Sequence, residues 1–274
     1  MVNESANQLE VPALEQAAPE VSSLKQVVRW KWHVRGNWNP REDRIPSTVW
    51  LGILWIGMLL GFGLDARRFL GQHPPLALHL HAAVFTIWMF LLTAQVLLVV
   101  RDRVDIHRRL GWFLAAWACL MGVMGPVGLY TAVMMDVRKH GPFPDPFMCV
   151  QLLDISSFLV LLAIGISLRR NPAAHKRMMI LSSVALASPG FARFLGHVYP
   201  TDPSTPFLFL LNVYYGNILL IVLMLTWDLY RGRLVRAHVI ASISLLVCLC
   251  LNSFLFFWPP WSDLTLRWIT AWAK

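Results

Sequence analysis

The 25 residues Leu76–Val100, LALHLHAAVFTIWMFLLTAQVLLVV, contain no Asp, Glu, Lys or Arg. At about 1.5 Å of rise per residue, such a run crosses the roughly 30 Å hydrocarbon core of a bilayer as a single helix. Its polar positions are ordered. His81, Phe85, Trp88, Leu92 and Gln95 follow one another at intervals of 4, 3, 4 and 3, so they share one helical face, while His79 points elsewhere. The stretch reads as a membrane-spanning helix with one seam turned toward other helices.

Uncharged runs of similar length recur along the chain at 47–64, 110–135, 149–168, 178–197, 207–227 and 239–258, giving seven spans with 76–100. The fifth is broken by Pro189, Gly190 and Arg193. Of the 274 residues, 57% are hydrophobic and 14% charged, against about 25% charged in soluble domains. This excludes an ordinary soluble enzyme, a disordered chain and a collagen-like fibre. The expected fold is all-α, a polytopic bundle of seven transmembrane helices.

Charge asymmetry orients the bundle. With an N-terminus on the cytoplasmic side, the segments 25–44, 101–109, 169–177 and 231–236 collect 17 of the 24 Lys and Arg. The other side receives only Arg67, Arg68, Arg138, Lys139, Arg193, Arg267 and Lys274. Lys and Arg gather on the cytoplasmic face, which places the C-terminus in the periplasm. The net charge of +9 is then the bias expected beside anionic lipid and no sign of a nucleic-acid partner.

Residues 1–24, with Glu4, Glu10, Glu15 and Glu20 among Ala, Ser and Pro, have the composition of a disordered tail and lack a signal-peptide core. Residues 25–46 mix Trp with Lys and Arg, as a headgroup-level segment does. The seven-helix domain covers 47–258. Residues 259–274 form an interfacial end piece, with a short helix expected over 264–272. Cys119, Cys149, Cys248 and Cys250 lie in or beside apolar runs and read as small buried hydrophobes.

Ionisable groups inside a membrane are costly and mark sites. Converted to depth, His79, His81, Asp154, Arg193, Tyr130 and Asn212 fall in one outer-leaflet layer, with Tyr214, Tyr215 and Asn217 just below and His197 at the mouth. In the inner half Gln95 stands almost alone. Two pairings are expected of this layer: an ion pair between Asp154 and Arg193, and ligation of haem b or a transition metal by His79 or His81 with His197. Tyr130, Asn212 and Tyr215 would support it. The alternative is that the histidines are interfacial and bond backbone carbonyls. On the cytoplasmic side, Asp105-Ile-His107-Arg108-Arg109, Asn171-Pro-Ala-Ala-His175-Lys-Arg177 and Arg236-Ala-His238 each set a histidine near the start of an odd-numbered span, open to ligation or to headgroup contact.

The segments HLHA…F…W…L…Q (79–95), HRRLGW (107–112) and PAAHKRMM (172–179) together resemble a family of uncharacterised bacterial inner-membrane proteins. That resemblance implies a multi-helix bundle in the bacterial cytoplasmic membrane. More distantly, the helix-borne histidines are similar to those of cytochrome b561-type bundles, although here they cluster near span ends.

Two functions follow. One is a redox protein with haem or a metal in the outer layer, passing electrons between quinone and a periplasmic acceptor. The other is a non-catalytic accessory subunit or assembly factor of a larger membrane complex, offering the small-residue face Gly122, Gly125 and Gly128 to a partner helix. A transporter is a lesser alternative, since the Pro-Gly break in span five has no counterpart in an inverted repeat. The last span has no lysine for a retinal Schiff base, and P-loop, His-Glu-x-x-His and Gly-x-Ser-x-Gly motifs are absent.

Overall fold

The computed structural model describes residues 40–69, 73–199 and 204–274. The expectations for 1–24 and most of 25–46 lie outside these residues. Every regular element described is helical. A 3-10 turn at Pro40–Asp43 leads into α1 (Arg44–Phe69), α2 (Leu76–Val100), α3 (Val104–His140), α4 (Met148–Ser167), α5 (Pro172–Ala185), α6 (Ser188–Val198), α7 (Pro206–Tyr230), α8 (Arg236–Phe256) and α9 (Pro259–Trp272). Six of them, α1 to α4, α7 and α8, are long and apolar enough to cross a membrane. Helices α5 and α6, bent by 49° at their junction, make a candidate seventh span. The chain is a multi-pass membrane helix bundle.

Local chemistry fixes the boundaries. Asn171 and Thr205 each precede a proline, and their side-chain oxygens accept the backbone N–H of Ala174 and Leu208, both at 3.2 Å, so each caps a helix whose first residue has no N–H to lose. Helix α3 overruns the expected span at both ends. Its 37 residues run roughly 55 Å, well beyond the hydrocarbon core. Arg108, Arg109, Arg138 and Lys139 are good helix formers and carry the helix past the apolar section, so the loop expected over 101–109 is helical from Val104 onward. Gly141, at φ 77°, stops it.

The α5–α6 break follows from Pro189, which cannot donate to the Ala185 carbonyl and instead sits in the first turn of α6. The span that hydropathy marks as weakest is thereby the innermost. Ala173, Ala174, Arg177, Met178 and the whole run Ile180–Ala185 are buried, because α5 packs against α1, α4, α7 and α8 and needs no lipid-facing side. Small residues seat α6 just as tightly. A Cβ on Gly61 would lie 1.9 Å from the Gly190 carbonyl oxygen, and one on Gly57 or Gly216 would meet the Phe191 ring at 2.4 or 2.1 Å. Phe191 is thus clamped between α1 and α7. Lipid supplies no hydrophobic drive for helix association, so close approach of this kind is what holds such helices together.

The short helix expected near the end is α9. It is latched to the 141–147 loop through Thr265 Oγ1, which accepts Asp145 N–H at 3.1 Å, and Trp261 Nε1, which donates to the Pro146 carbonyl at 2.9 Å. Ile269 packs with Leu129, Val133, Val137 and Met148.

Candidate functional site

The expected polar layer resolves into three separate arrangements. His81 donates Nδ1–H to the Met124 carbonyl at 2.8 Å, stacks on Phe85 and fills the space that a Cβ on Gly128 would need. His79 is exposed at the start of α2. On α6, His197 bonds back to the Arg193 carbonyl at 2.9 Å. Arg193 does not reach Asp154. Its Nε lies 3.1 Å from Asp65 Oδ2, Nη1 donates to the Pro189 carbonyl, and the guanidinium sits 4.7 Å over Phe62. The Asp154–Arg193 pairing is therefore corrected: Asp65, at the end of the first span, is the nearer acceptor. Tyr130 is exposed beside Trp272, Asn212 donates to the Leu208 carbonyl within its own helix, and Tyr215 donates to the Phe191 carbonyl.

Asp154 sits 6% exposed beside the α5–α6 break. Ser188, the first residue of α6, donates to its Oδ2, and Tyr214 on α7 donates to Oδ1 at 3.2 Å. Asn252 on α8 donates Nδ2–H to the Tyr214 oxygen at 2.5 Å, leaving its own Oδ1 buried without a partner. Cys149 lies behind, its Sγ 3.7 Å from the Asn252 carbonyl. A cavity of about 30 Å³ near the break is lined mostly by apolar side chains, Leu54, Phe85, Met89 and Met121 among them, together with Ser183. Of this group only Asp154 stood out in the sequence as a site residue.

A second polar cluster gathers at the other end of the bundle, from residues just outside the expected spans. Arg177 on α5 grips Asp228 on α7 with both arms, Nε to Oδ2 and Nη2 to Oδ1 at 2.6 Å each, and reaches Asp43 at 3.4 Å and the Ala173 carbonyl at 2.9 Å. His238, fully buried at the start of α8, lies with Nδ1 2.8 Å from Asp228 Oδ2, and its Nε2 has no partner. Lys176 and Arg233 also touch Asp43, and Arg231 and Arg233 both engage Glu42. Beside this network the rings of His107 and His175 meet edge-on at 6.2 Å, each Nδ1–H directed at a backbone carbonyl, Gln95 and Gly165 respectively. Gln95 in turn donates to the His107 carbonyl, and Arg108 is exposed.

Asp228, Ser242 and Asn252, which the sequence reading did not single out, had a signal. On α7, Tyr214, Asn217, Ile221, Met224 and Asp228 recur at 3, 4, 3 and 4 residues, and on α8, His238, Ser242, Leu245, Leu249 and Asn252 recur at 4, 3, 4 and 3. All ten are buried, so each helix turns one face inward that is polar at its two ends and apolar in the middle.

Of the four buried carboxylates among the described residues, Asp43, Asp65 and Asp228 face cations; Asp154 faces only hydroxyls. The histidine set named for haem or a metal is seated against different neighbours. Among the described residues no group of three His, Cys, Asp or Glu side chains gathers that could hold a metal ion. The small-residue face of α3 is likewise filled from within, Gly122 by Leu159, Gly125 by Ile155 and Gly128 by His81, which leaves it no room for a partner helix. Comparison with protein-family models, with curated proteins and with solved structures returns no match to this chain.

Proposed function

We propose that the protein moves protons through a bacterial cytoplasmic membrane, with its N-terminus inside and Asp154 as the exchangeable site in the outer half. The observation that carries this reading is the absence of a cation beside Asp154, where every other buried carboxylate described has one. A buried carboxylate with no counter-charge is neutralised by a proton. Two hydroxyl donors, Ser188 and Tyr214, stand ready to receive the ionised form when the proton leaves. The helix break supports the same reading, since irregular backbone at membrane depth belongs where it lines a site.

The inward faces of α7 and α8 supply the rest. Asn217 continues the outer polar section and Ser242 the inner one, each with a buried oxygen that no protein group satisfies and that a water would serve. Leu220, Ile221, Met224, Leu245 and Leu249 separate the two sections and act as the barrier to uncontrolled leak.

The test uses the purified chain in liposomes loaded with a pH-sensitive dye, with a proton gradient imposed and the membrane potential clamped. Wild-type protein accelerates internal pH change over empty liposomes, and D154N, which keeps the shape and one oxygen to accept a hydroxyl, removes the acceleration. Equal rates for D154N and wild type, at equal incorporation and equal melting temperature, refute the assignment.

A further inference from the structure

A second site lies at the opposite end of the bundle and is independent of the proton reading. The residues just before α1 place Glu42 and Asp43 among four cations from two other regions of the chain: Lys176 and Arg177 at the start of α5, and Arg231 and Arg233 in the α7–α8 turn. Asp43 is the deep member, 4% exposed and touched by Lys176, Arg177 and Arg233. Glu42 is the shallow one. Both arginines of the turn converge on a single oxygen of it, Oε2, with Arg231 Nη2 at 3.1 Å.

That arrangement leaves recognition capacity unused. A guanidinium fork is shaped for two acceptor oxygens; Arg231 meets Glu42 through Nη2 alone, and Arg233 divides its two arms between Glu42 Oε2 and Asp43 Oδ1. On its deep side, Asp43 borders a cavity of about 20 Å³ that Trp50, Lys176, Arg177, Asp228 and His238 also line. The His238 Nε2, wholly buried and without a partner, is the ring nitrogen left over once Nδ1 has met Asp228. A group presenting three anionic oxygens offers Arg231 a bidentate partner and Arg233 a contact of its own, where Glu42 offers both the same Oε2.

We propose that Lys176, Arg231 and Arg233 form a phosphate-binding cleft, and that Glu42 is its built-in competitor, occupying the mouth until a phosphate monoester displaces it. Such a group comes either from the headgroup of an anionic lipid in the adjoining leaflet or from a soluble phosphate compound. Arg231 and Glu42, at 40% and 39% side-chain exposure, form the accessible edge through which exchange occurs. Asp43 stays in place and balances Lys176 and Arg177.

The experiment reads ligand-induced shifts in melting temperature, and apparent Kd, for the full chain in nanodiscs of zwitterionic lipid. Two probes are used: phosphatidic acid added to the disc, and inorganic phosphate added to the buffer. E42Q removes the competing charge and tightens binding of the effective probe about tenfold, whereas R231Q weakens it by a similar factor. R233Q serves as a second variant where it folds. A response to phosphatidic acid alone assigns the headgroup as the source, and a response to inorganic phosphate assigns a soluble one; either supports the cleft. Equal responses of wild type, E42Q and R231Q to both probes, including no response at all, overturn it.

Discussion

Replacing Arg177 by Met removes the cation that two buried carboxylates share. Asp228 loses both of its 2.6 Å bonds and Asp43 loses one of its three cations, while neither carboxylate gains access to water, since both are about 5% exposed. Breaking a buried pair by removing one partner leaves an uncompensated charge and costs about 3–5 kcal/mol. The matching change D228L strands the guanidinium, which keeps only the 3.4 Å contact to Asp43 and the Ala173 carbonyl, and it costs a similar amount.

The informative variant is the double one. With both charges gone, no desolvated ion is left unpaired, and the residual penalty is the His238 Nδ1 that loses its acceptor, about 1–3 kcal/mol. The double variant is therefore several kcal/mol better than the sum of the singles. Equilibrium unfolding by SDS in mixed micelles, followed by tryptophan fluorescence, measures all four proteins. If the two substitutions add within about 0.5 kcal/mol, as independent sites do, the pair is not the coupled unit described and the argument fails.

Two further outcomes are expected. G61A drives a Cβ to 1.9 Å from the Gly190 carbonyl oxygen, so α1 and α6 must part, at about 1–3 kcal/mol in the same unfolding assay; G52A, with nothing within 4 Å of the added carbon, is neutral or gains up to about 1 kcal/mol of helix propensity, and equal effects at both positions refute the notch. In the 141–147 loop, burial pushes the Asp145 carboxyl above its ordinary value of 3.8, against the Phe147 N–H bond that favours the ionised form and with Asp136 adding repulsion. A carboxyl raised in the folded state contributes stability that is complete below the unfolded pKa and is lost as pH rises through the folded one. D145N, which keeps an oxygen for Phe147, is then at least as stable as wild type at neutral pH, with the difference shrinking on acidification into the carboxylate range; a gap that widens on acidification contradicts this.

Hydropathy reads most of the fold. Leu76–Val100 is one helix with the bounds expected, and its buried positions Trp88, Leu92 and Gln95 lie on the anticipated face, with His81 and Phe85 half-buried beside them. Depth along a single helix is legible because rise per residue is constant. Rotation and partner choice are less so. His81 and Arg193 share a depth with Asp154 yet turn to α3 and to Asp65, because Gly128 opens a slot for one and Asp65 stands nearer the other. Arg177 was invisible for a different reason. In a loop tally it is one more inside cation, and only the burial of α5 by four neighbouring helices converts it into an interior charge that needs Asp228.

The two polar ends of the bundle differ in a way that burial alone does not capture. Both lie inside closely packed protein, and both contain Asp. At the α5 start, the positive charge of Arg177 is met within the chain, so the cluster is electrically closed and its loss is felt as stability. At the break, Asp154 has hydroxyl donors but no positive charge. The inner cations cannot supply one: His238 and Asn252 are fourteen residues apart on α8, roughly 21 Å along the helix, with Leu245 and Leu249 between them. Over that distance a guanidinium already engaged by two carboxylates offers Asp154 almost no compensation. Neutrality at the break must therefore be imported. A proton is the smallest carrier of that charge.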